Sequence, residues 1–228
     1  MPANLVYWGM LFLKLVLLMT TTQLFAQTDQ WEKFNSSLLL EVTRPNGVFT
    51  CTGVAVSSKL IVTAAHCLDG EIKKVRVFTQ EKYDPKLPAL ETAGFEIHPD
   101  YKPKESAFKN DLAKLHLKEA LPANINIHPI LKSSTVVGNL YRFGFGARDK
   151  TNIRTVITPT FRWINFTDHV LELDDTFSKS GDSGGPIFVK NLSGIYLAAI
   201  HSTFSHGPQG RFSYNPLLSA YLPWIFPN

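Results

Sequence analysis

The chain of 228 residues predicts an all-β protein, a sandwich or barrel, on three observations. From Ser37 onward, short runs rich in Val, Ile, Leu, Thr and Phe recur between turn signals, the spacing of strands in such folds. Helical periodicity is weak until Leu217 to Ile225, which reads as a short closing helix cut by Pro223. The apolar fraction of 44% and charged fraction of 18% are those of a globular domain, not of a disordered chain. The length suits one large all-β domain or two small ones.

Residues 1–26 read as a signal peptide. Leu11 to Met19 is apolar apart from Lys14, threonines follow, and Ala26 supplies a small residue for cleavage before Gln27. Initiation at Met10 would make Lys14 the charged residue ahead of the apolar run. The run is short for a membrane-spanning helix. The expectation is therefore a secreted or periplasmic protein with no stable membrane association after signal removal. The net charge of +4 falls to +3 once Lys14 is removed with the leader. No run of Lys or Arg stands out, which argues against a nucleic-acid partner.

Strand-like segments follow in order. Leu38-Leu39-Leu40-Glu41-Val42 is a buried run, Pro45-Asn46-Gly47 a turn, and Val48-Phe49-Thr50-Cys51-Thr52 resumes. Gly53 to Val56 and Leu60 to Thr63 are joined by Ser57-Ser58-Lys59. Val75 to Phe78, the alternating Ala113 to Leu117, and the glycine-rich Arg142 to Gly146 come next. Thr155 to Ile157, Val170 to Leu173, Ile187 to Val189 and Ile195 to Ile200 complete the set. Cys51 and Cys67 are either bridged or two buried thiols, and the secretion signal favours a bridge.

The stretch Lys179-Ser180-Gly181-Asp182-Ser183-Gly184-Gly185-Pro186 carries the chemistry. Glycines around Ser183 let a loop turn its own N–H groups toward one point. A serine hydroxyl becomes a good nucleophile when a base takes its proton and donors hold the resulting oxyanion. His66, in Thr63-Ala64-Ala65-His66-Cys67 at the end of a strand, is the candidate base. Asp111, in Asn110-Asp111-Leu112-Ala113, is either the carboxylate that orients such a histidine or a turn residue before a strand.

These three motifs, in this order, resemble the signatures of the chymotrypsin/trypsin-like serine proteases. Ile97-His98-Pro99-Asp100-Tyr101 and Gly144-Phe145-Gly146 extend the likeness, and Cys51 and Cys67 have the spacing of the bridge beside that family's histidine. The resemblance runs from about Leu38 to Ile225. It implies two antiparallel six-stranded β-barrels, residues 27–135 carrying His66 and Asp111 and residues 136–228 carrying Ser183. It implies a secreted serine endopeptidase acting through an acyl-enzyme, with catalytic His66, Asp111 and Ser183, an oxyanion hole of Gly181 and Ser183, and a Cys51–Cys67 disulfide. It implies protein or peptide substrates, a monomer, and neither cofactor nor metal. The rival is a catalytically inactive homologue serving as a binding or adhesion module; the presence of all three residues argues against it.

Departures from the family shape the rest. No Ile-Val-Gly-Gly start is present to pair with Asp182, so Asp182 is expected to face an internal group, as in some bacterial relatives. Removal of the leader alone is then expected to give active enzyme. The position six before Ser183, an aspartate in trypsin-like members, is Phe177. Phe177, Ser178, His201 and Thr203 are expected at the specificity pocket. The pairing of Ser178 with His201 resembles the bacterial glutamyl endopeptidases and implies an acidic or small residue before the scissile bond (P1). Alternatively His201 supports Asp111. Glu172, Asp174 and Asp175 read as a solvated loop rather than a metal site, and His98, His116 and His128 as structural. Asn35, Asn165 and Asn191 begin Asn-x-Ser/Thr patterns, relevant only in a eukaryotic secretory pathway.

Overall fold

The computed structural model describes residues 33–147, 152–207 and 210–227; the signal peptide expected over residues 1–26 lies outside them. Every strand among the described residues belongs to the compact unit Ser36–Asn228. In chain order the strands are β1 (Ser37–Arg44), β2 (Gly47–Ala55), β3 (Leu60–Thr63), β4 (Lys74–Phe78), β5 (Leu90–Ile97), β6 (Ala113–Leu117) and β7 (Asn139–Gly144). There follow β8 (Thr155–Ile157), β9 (Thr160–Asn165), β10 (Val170–Asp174), β11 (Pro186–Asn191), β12 (Gly194–Ile200), β13 (Thr203–Gly207) and β14 (Gly210–Pro216). A 3-10 turn, Leu218–Tyr221, leads into helix α1 (Leu222–Ile225). Pro223 opens that helix rather than cutting it, because the first turn has no N–H to lose.

The first six strands close an antiparallel barrel in the order β1-β2-β3-β6-β5-β4, as expected. The second half pairs as two four-stranded sheets, β12-β11-β7-β8 and β13-β14-β10-β9, in place of one closed ring of six. The architecture is chymotrypsin-like.

Strand β1 explains the unbroken apolar run at its start. Leu38, Leu40 and Val42 point into the barrel core with Ile61, Val77 and Leu115. Leu39 faces outward yet is equally buried, against Phe78 and Phe145. A strand covered on both faces loses the polar alternation of a half-exposed one. Glu41, on the outward face, is buried because Arg76 grips both its oxygens, at 2.7 and 2.8 Å, and the Tyr83 hydroxyl donates at 2.5 Å.

The barrel places the candidate residues at strand ends. β3 ends at Thr63 and the 3-10 turn Ala65–Cys67 follows at once, carrying His66. The Cys51–Cys67 disulfide, with Cα atoms 6.3 Å apart, fastens that turn to β2. Asp111 sits two residues before β6, and Ser183 lies in the loop between β10 and β11. The Thr52 N–H of β2 donates to Ser183 O at 2.8 Å and ties that loop to the barrel.

The bridge closes a loop of 16 residues. The double variant Cys51→Ser, Cys67→Ser is expected to lose about 3 kcal/mol in denaturant unfolding, with strand content retained. Unchanged unfolding would show that the bridge does not constrain the chain.

Candidate active site

Asp111 is fully buried and accepts three hydrogen bonds. The His66 backbone N–H donates to Oδ1 at 2.8 Å, the His66 ring Nδ1–H to Oδ2 at 2.7 Å, and the Ser202 hydroxyl to Oδ2 at 2.5 Å. Three donors are what make a carboxylate tolerable in the core. With Nδ1 spent on Asp111, the ring's basic nitrogen is Nε2. His66 and Ser183 line one cleft of about 460 Å³, together with Gly181, Ser180 and the disulfide.

The turn before β6 aims Asp111. Asn110 has φ of 55°, a left-handed conformation that Asn adopts more readily than most residues. Its side chain is held at both ends: Nδ2 donates to Asp100 O at 3.1 Å, and the Tyr221 hydroxyl donates to Oδ1 at 2.9 Å. Sequence reading places neither Tyr221 nor Ser202 at the site. In the link between β12 and β13 it is Ser202, not His201, that supports Asp111.

The expectation of an internal partner for Asp182 is met by Arg142. Arg142, Asp175 and Asp182 all have fully buried side chains. Arg142 Nη1 lies 3.0 Å from Asp182 Oδ2, and Nε lies 2.6 Å from Asp175 Oδ2. The N–H directions at Nε and Nη1 are not aligned on these oxygens, so those contacts act as ion pairs. Nη2 makes the aligned hydrogen bond, to Asp175 Oδ1 at 3.0 Å. Asp182 also accepts from Gly146 N at 2.8 Å and Lys179 N at 3.0 Å. Side chains at Gly144 or Gly146 would run into the Asp182 carboxylate, which is why that strand is glycine-rich. Burial pushes the Asp175 carboxyl up, but the charge and hydrogen bond of Arg142 outweigh it and hold the group below its usual range. Arg142 is absent from the sequence-based site, although a charge between Leu140 and Phe143 is a visible signal.

The expected pocket residues separate. Ser178 and His201 are both buried and meet at 3.2 Å, Oγ to Nε2. His201 Nδ1 faces Asn215 Oδ1 at 3.1 Å, and Asn215 Nδ2 is occupied as a donor, so Nδ1 carries the proton. The Ser178 hydroxyl also lies 3.1 Å from Asp175 Oδ2, so its single hydrogen has two acceptors. Burial pushes His201 down to about 4, and the nearby Arg142 charge adds to the effect. Phe177 turns away: its side chain is 63% exposed and lines an apolar groove with Thr155 to Thr158. Phe177 therefore sits on the outside of its loop and not at a pocket floor. Thr203 is half-buried in β13, opposite Tyr214.

The acidic cluster is not a solvated loop. Asp175 belongs to Arg142, and Glu172 is buried beneath Arg162 at 2.8 Å and the Trp163 N–H at 2.5 Å; only Asp174 is exposed. Among the described residues no cluster of metal-ligating side chains occurs, and no helix is long and apolar enough to cross a membrane. His98 packs edge-on against Tyr221 and Trp224, His116 meets Glu96 at 3.0 Å, and His128 packs against Phe188. At Asn165 the side-chain amide is taken by Asp168 at 2.9 Å.

His66 and Ser183 share one cleft of this chymotrypsin-like fold, with Asp111 buried behind the imidazole, and comparisons with known proteins show a serine endopeptidase, a hydrolase. The family model described as Trypsin matches residues 28–225, and the chain belongs to that family. It is 25% identical to phenoloxidase-activating factor 3 of Holotrichia diomphalia, over 83% of this chain and 67% of that protein. It is 26% identical to serine protease filzig of Drosophila melanogaster, over 78% of this chain but only 13% of that protein. It is 24% identical to chymotrypsin-like elastase family member 1 of Bos taurus, over 77% of each chain.

The His201 environment predicts an acid limb of stability. Its pKa is lowered on folding, so as pH falls from about 6.5 to about 4 the unfolded chain takes up a proton that the native protein refuses. Stability is expected to fall across that window with a slope approaching ~1.4 kcal/mol per pH unit. Asp175, also lowered, adds a loss only at lower pH, below its ordinary value of 3.8. In His201→Gln the first limb should flatten, leaving a smaller slope from His98, which burial also lowers, and, at the acid end of the window, from Glu41, Glu91 and Glu96, which are held below their ordinary value of 4.5. Denaturant unfolding at half-unit pH steps measures this; an unchanged limb in the variant would contradict it.

Proposed function

We propose a secreted serine endopeptidase in which Ser183 is the nucleophile, His66 the general base and then general acid, and Asp111 the group that orients His66. The observation that carries this reading is the 2.7 Å bond from His66 Nδ1 to Asp111 Oδ2 in a cleft shared with Ser183. Nε2 takes the Ser183 proton as Oγ attacks the peptide carbonyl. Asp111 stabilises the imidazolium so formed. The N–H groups of Gly181 and Ser183 receive the oxyanion, and His66 then returns the proton to the leaving amine. Water repeats the sequence in reverse roles and releases the acyl group. Secretion is supported by the apolar run Leu11 to Met19 with the small Ala26 after it, and by the Cys51–Cys67 bridge. The partners are protein or peptide substrates, cleaved by a monomer.

The P1 preference in this reading is for an acidic or small residue. Ser178 and His201 present a hydroxyl and an imidazole side by side, and the Phe177 ring is turned outward. A P1 carboxylate arriving at Ser178 would favour the imidazolium form of His201, whose Nε2–H would then donate to the Ser178 oxygen and no longer compete for its hydrogen. For Arg or Lys at P1, the nearby Asp175 and Asp182 are already held by Arg142.

A fluorophosphonate probe is expected to label wild type at Ser183, and Ser183→Ala is expected to fold normally with no hydrolysis. Among p-nitroanilides ending in Glu, Ala, Phe and Arg, the Glu and Ala substrates should be cleaved best, with the Glu preference lost selectively in His201→Gln. A folded wild type that takes up no probe establishes the binding-module reading instead. Strong cleavage after Arg overturns the pocket reading alone.

A further inference from the structure

We infer that the Thr52 hydroxyl, supplied by the first barrel, is a positioning group for the oxyanion hole formed in the second half of the chain. The inference rests on the reading of Ser183 as nucleophile. A donor in an oxyanion hole works when it points at the developing charge before the reaction begins. What fixes the direction of an amide N–H is its own peptide plane, since the carbonyl of the same trans unit points the opposite way.

The planes that carry the donors, 180–181 and 182–183, are pinned through Ser180 O and through Asp182 O, which accepts from Gly185 N at 2.9 Å, and Thr52 pins the planes that follow each of them. Ser180 O shares a plane with the Gly181 N–H and accepts from Ala147 N at 3.3 Å. Gly181 O, in the next plane, accepts from the Thr52 hydroxyl at 2.7 Å. Ser183 O accepts from the Thr52 backbone N–H at 2.8 Å. One residue of β2 therefore holds the loop at Gly181 and Ser183, the two residues that carry the donors. Among the described residues no protein acceptor takes the Gly181 or Ser183 N–H, so both remain for the substrate.

The hydroxyl is itself fixed. Thr52 is fully buried, its Oγ1 accepts from Phe145 N at 3.0 Å, and that leaves its one hydrogen for Gly181 O. The Thr52 carbonyl is held in turn by the Thr63 hydroxyl at 2.7 Å, on the strand that leads to His66. Gly181 has φ of +99°, a conformation with neighbouring alternatives for a glycine, so a carbonyl anchor is what selects one of them. Without that hydroxyl the 181–182 plane keeps only the Asp182 N–H bond to Lys179 O at 3.0 Å, and the Gly181 Cα, which joins it to the 180–181 plane, loses its tie to β2, so the Gly181 N–H in that plane is aimed less firmly.

The test compares Thr52→Val, which keeps shape and backbone N–H but removes the hydroxyl, with Thr52→Ser, which restores it. In Thr52→Val, kcat is expected to fall on the order of 10- to 100-fold with KM nearly unchanged, up to the loss seen when an oxyanion donor is removed outright. Affinity for a peptide boronate, whose tetrahedral adduct fills the hole, should fall by a similar factor, while a product peptide should bind as before. Thr52→Ser should recover most of both losses. A merely structural role would lower the unfolding midpoint of Thr52→Val and leave kcat and boronate affinity of the folded protein intact; that outcome overturns the inference. Absence of hydrolysis and of boronate binding in wild type would instead overturn the reading of Ser183.

Discussion

A guanidinium sealed among two carboxylates is the interaction on which this structure depends. Arg142, Asp175 and Asp182 have no exposed side-chain surface, so none can exist there alone. Removing one partner from such a set leaves an uncompensated buried charge and typically costs about 3–5 kcal/mol. The consequence is geometric as much as energetic. Asp182 is the residue between Gly181 and Ser183, and its carboxylate is fastened to Arg142, Gly146 and Lys179. The loop that presents the nucleophile is thereby tied to strand β7 of the same half.

The same loop is tied from the other side by Thr52, and the histidine turn is tied to the barrel by the disulfide and to Asp111 by two hydrogen bonds. Ser202, from the second half, completes Asp111, from the first. Each half thus supplies something that the other half's reactive group requires. Small polar residues carry these links, because a buried hydroxyl offers one donor of defined direction at little cost in side-chain entropy. The buried Ser178–His201 pair continues the network from Asp175 toward the short link between β12 and β13 that carries Ser202.

Much of this was legible in the sequence, and the parts that were not have physical reasons. His66, Asp111 and Ser183 stand in motifs whose residue types are dictated by local geometry, and the structure brings His66 to Asp111 and places Ser183 in the same cleft. Strands buried on one or both faces, such as β1, β6 and β12, announce themselves as apolar runs. Strand β5 is largely exposed and carries no apolar pattern to read, whereas β9 alternates Phe161 and Trp163 with polar residues yet leaves both rings exposed. Strands β13 and β14 are polar hairpin arms, equally silent. Arg142, Thr52 and Ser202 escaped because their roles are long-range: the partners of Arg142 lie 33 and 40 positions away, and that of Ser202 lies 91 away. Phe177 misled because a position within a motif fixes where the backbone runs but not which way a side chain faces. The acidic cluster misled for the opposite reason, since Glu172 and Asp175 look solvated until their buried arginine partners are found.

The central claim is that an internal cation, Arg142, holds Asp182 and with it the loop of Ser183, so that no freed α-amino group is needed. The direct measurement is active-site titration with a fluorophosphonate of the mature chain with its α-amino group acetylated, beside the same chain unblocked. The account predicts equal titres and equal kcat/KM. Protein that is inert when blocked, and active only once a new amino terminus is cut and left free, would contradict it.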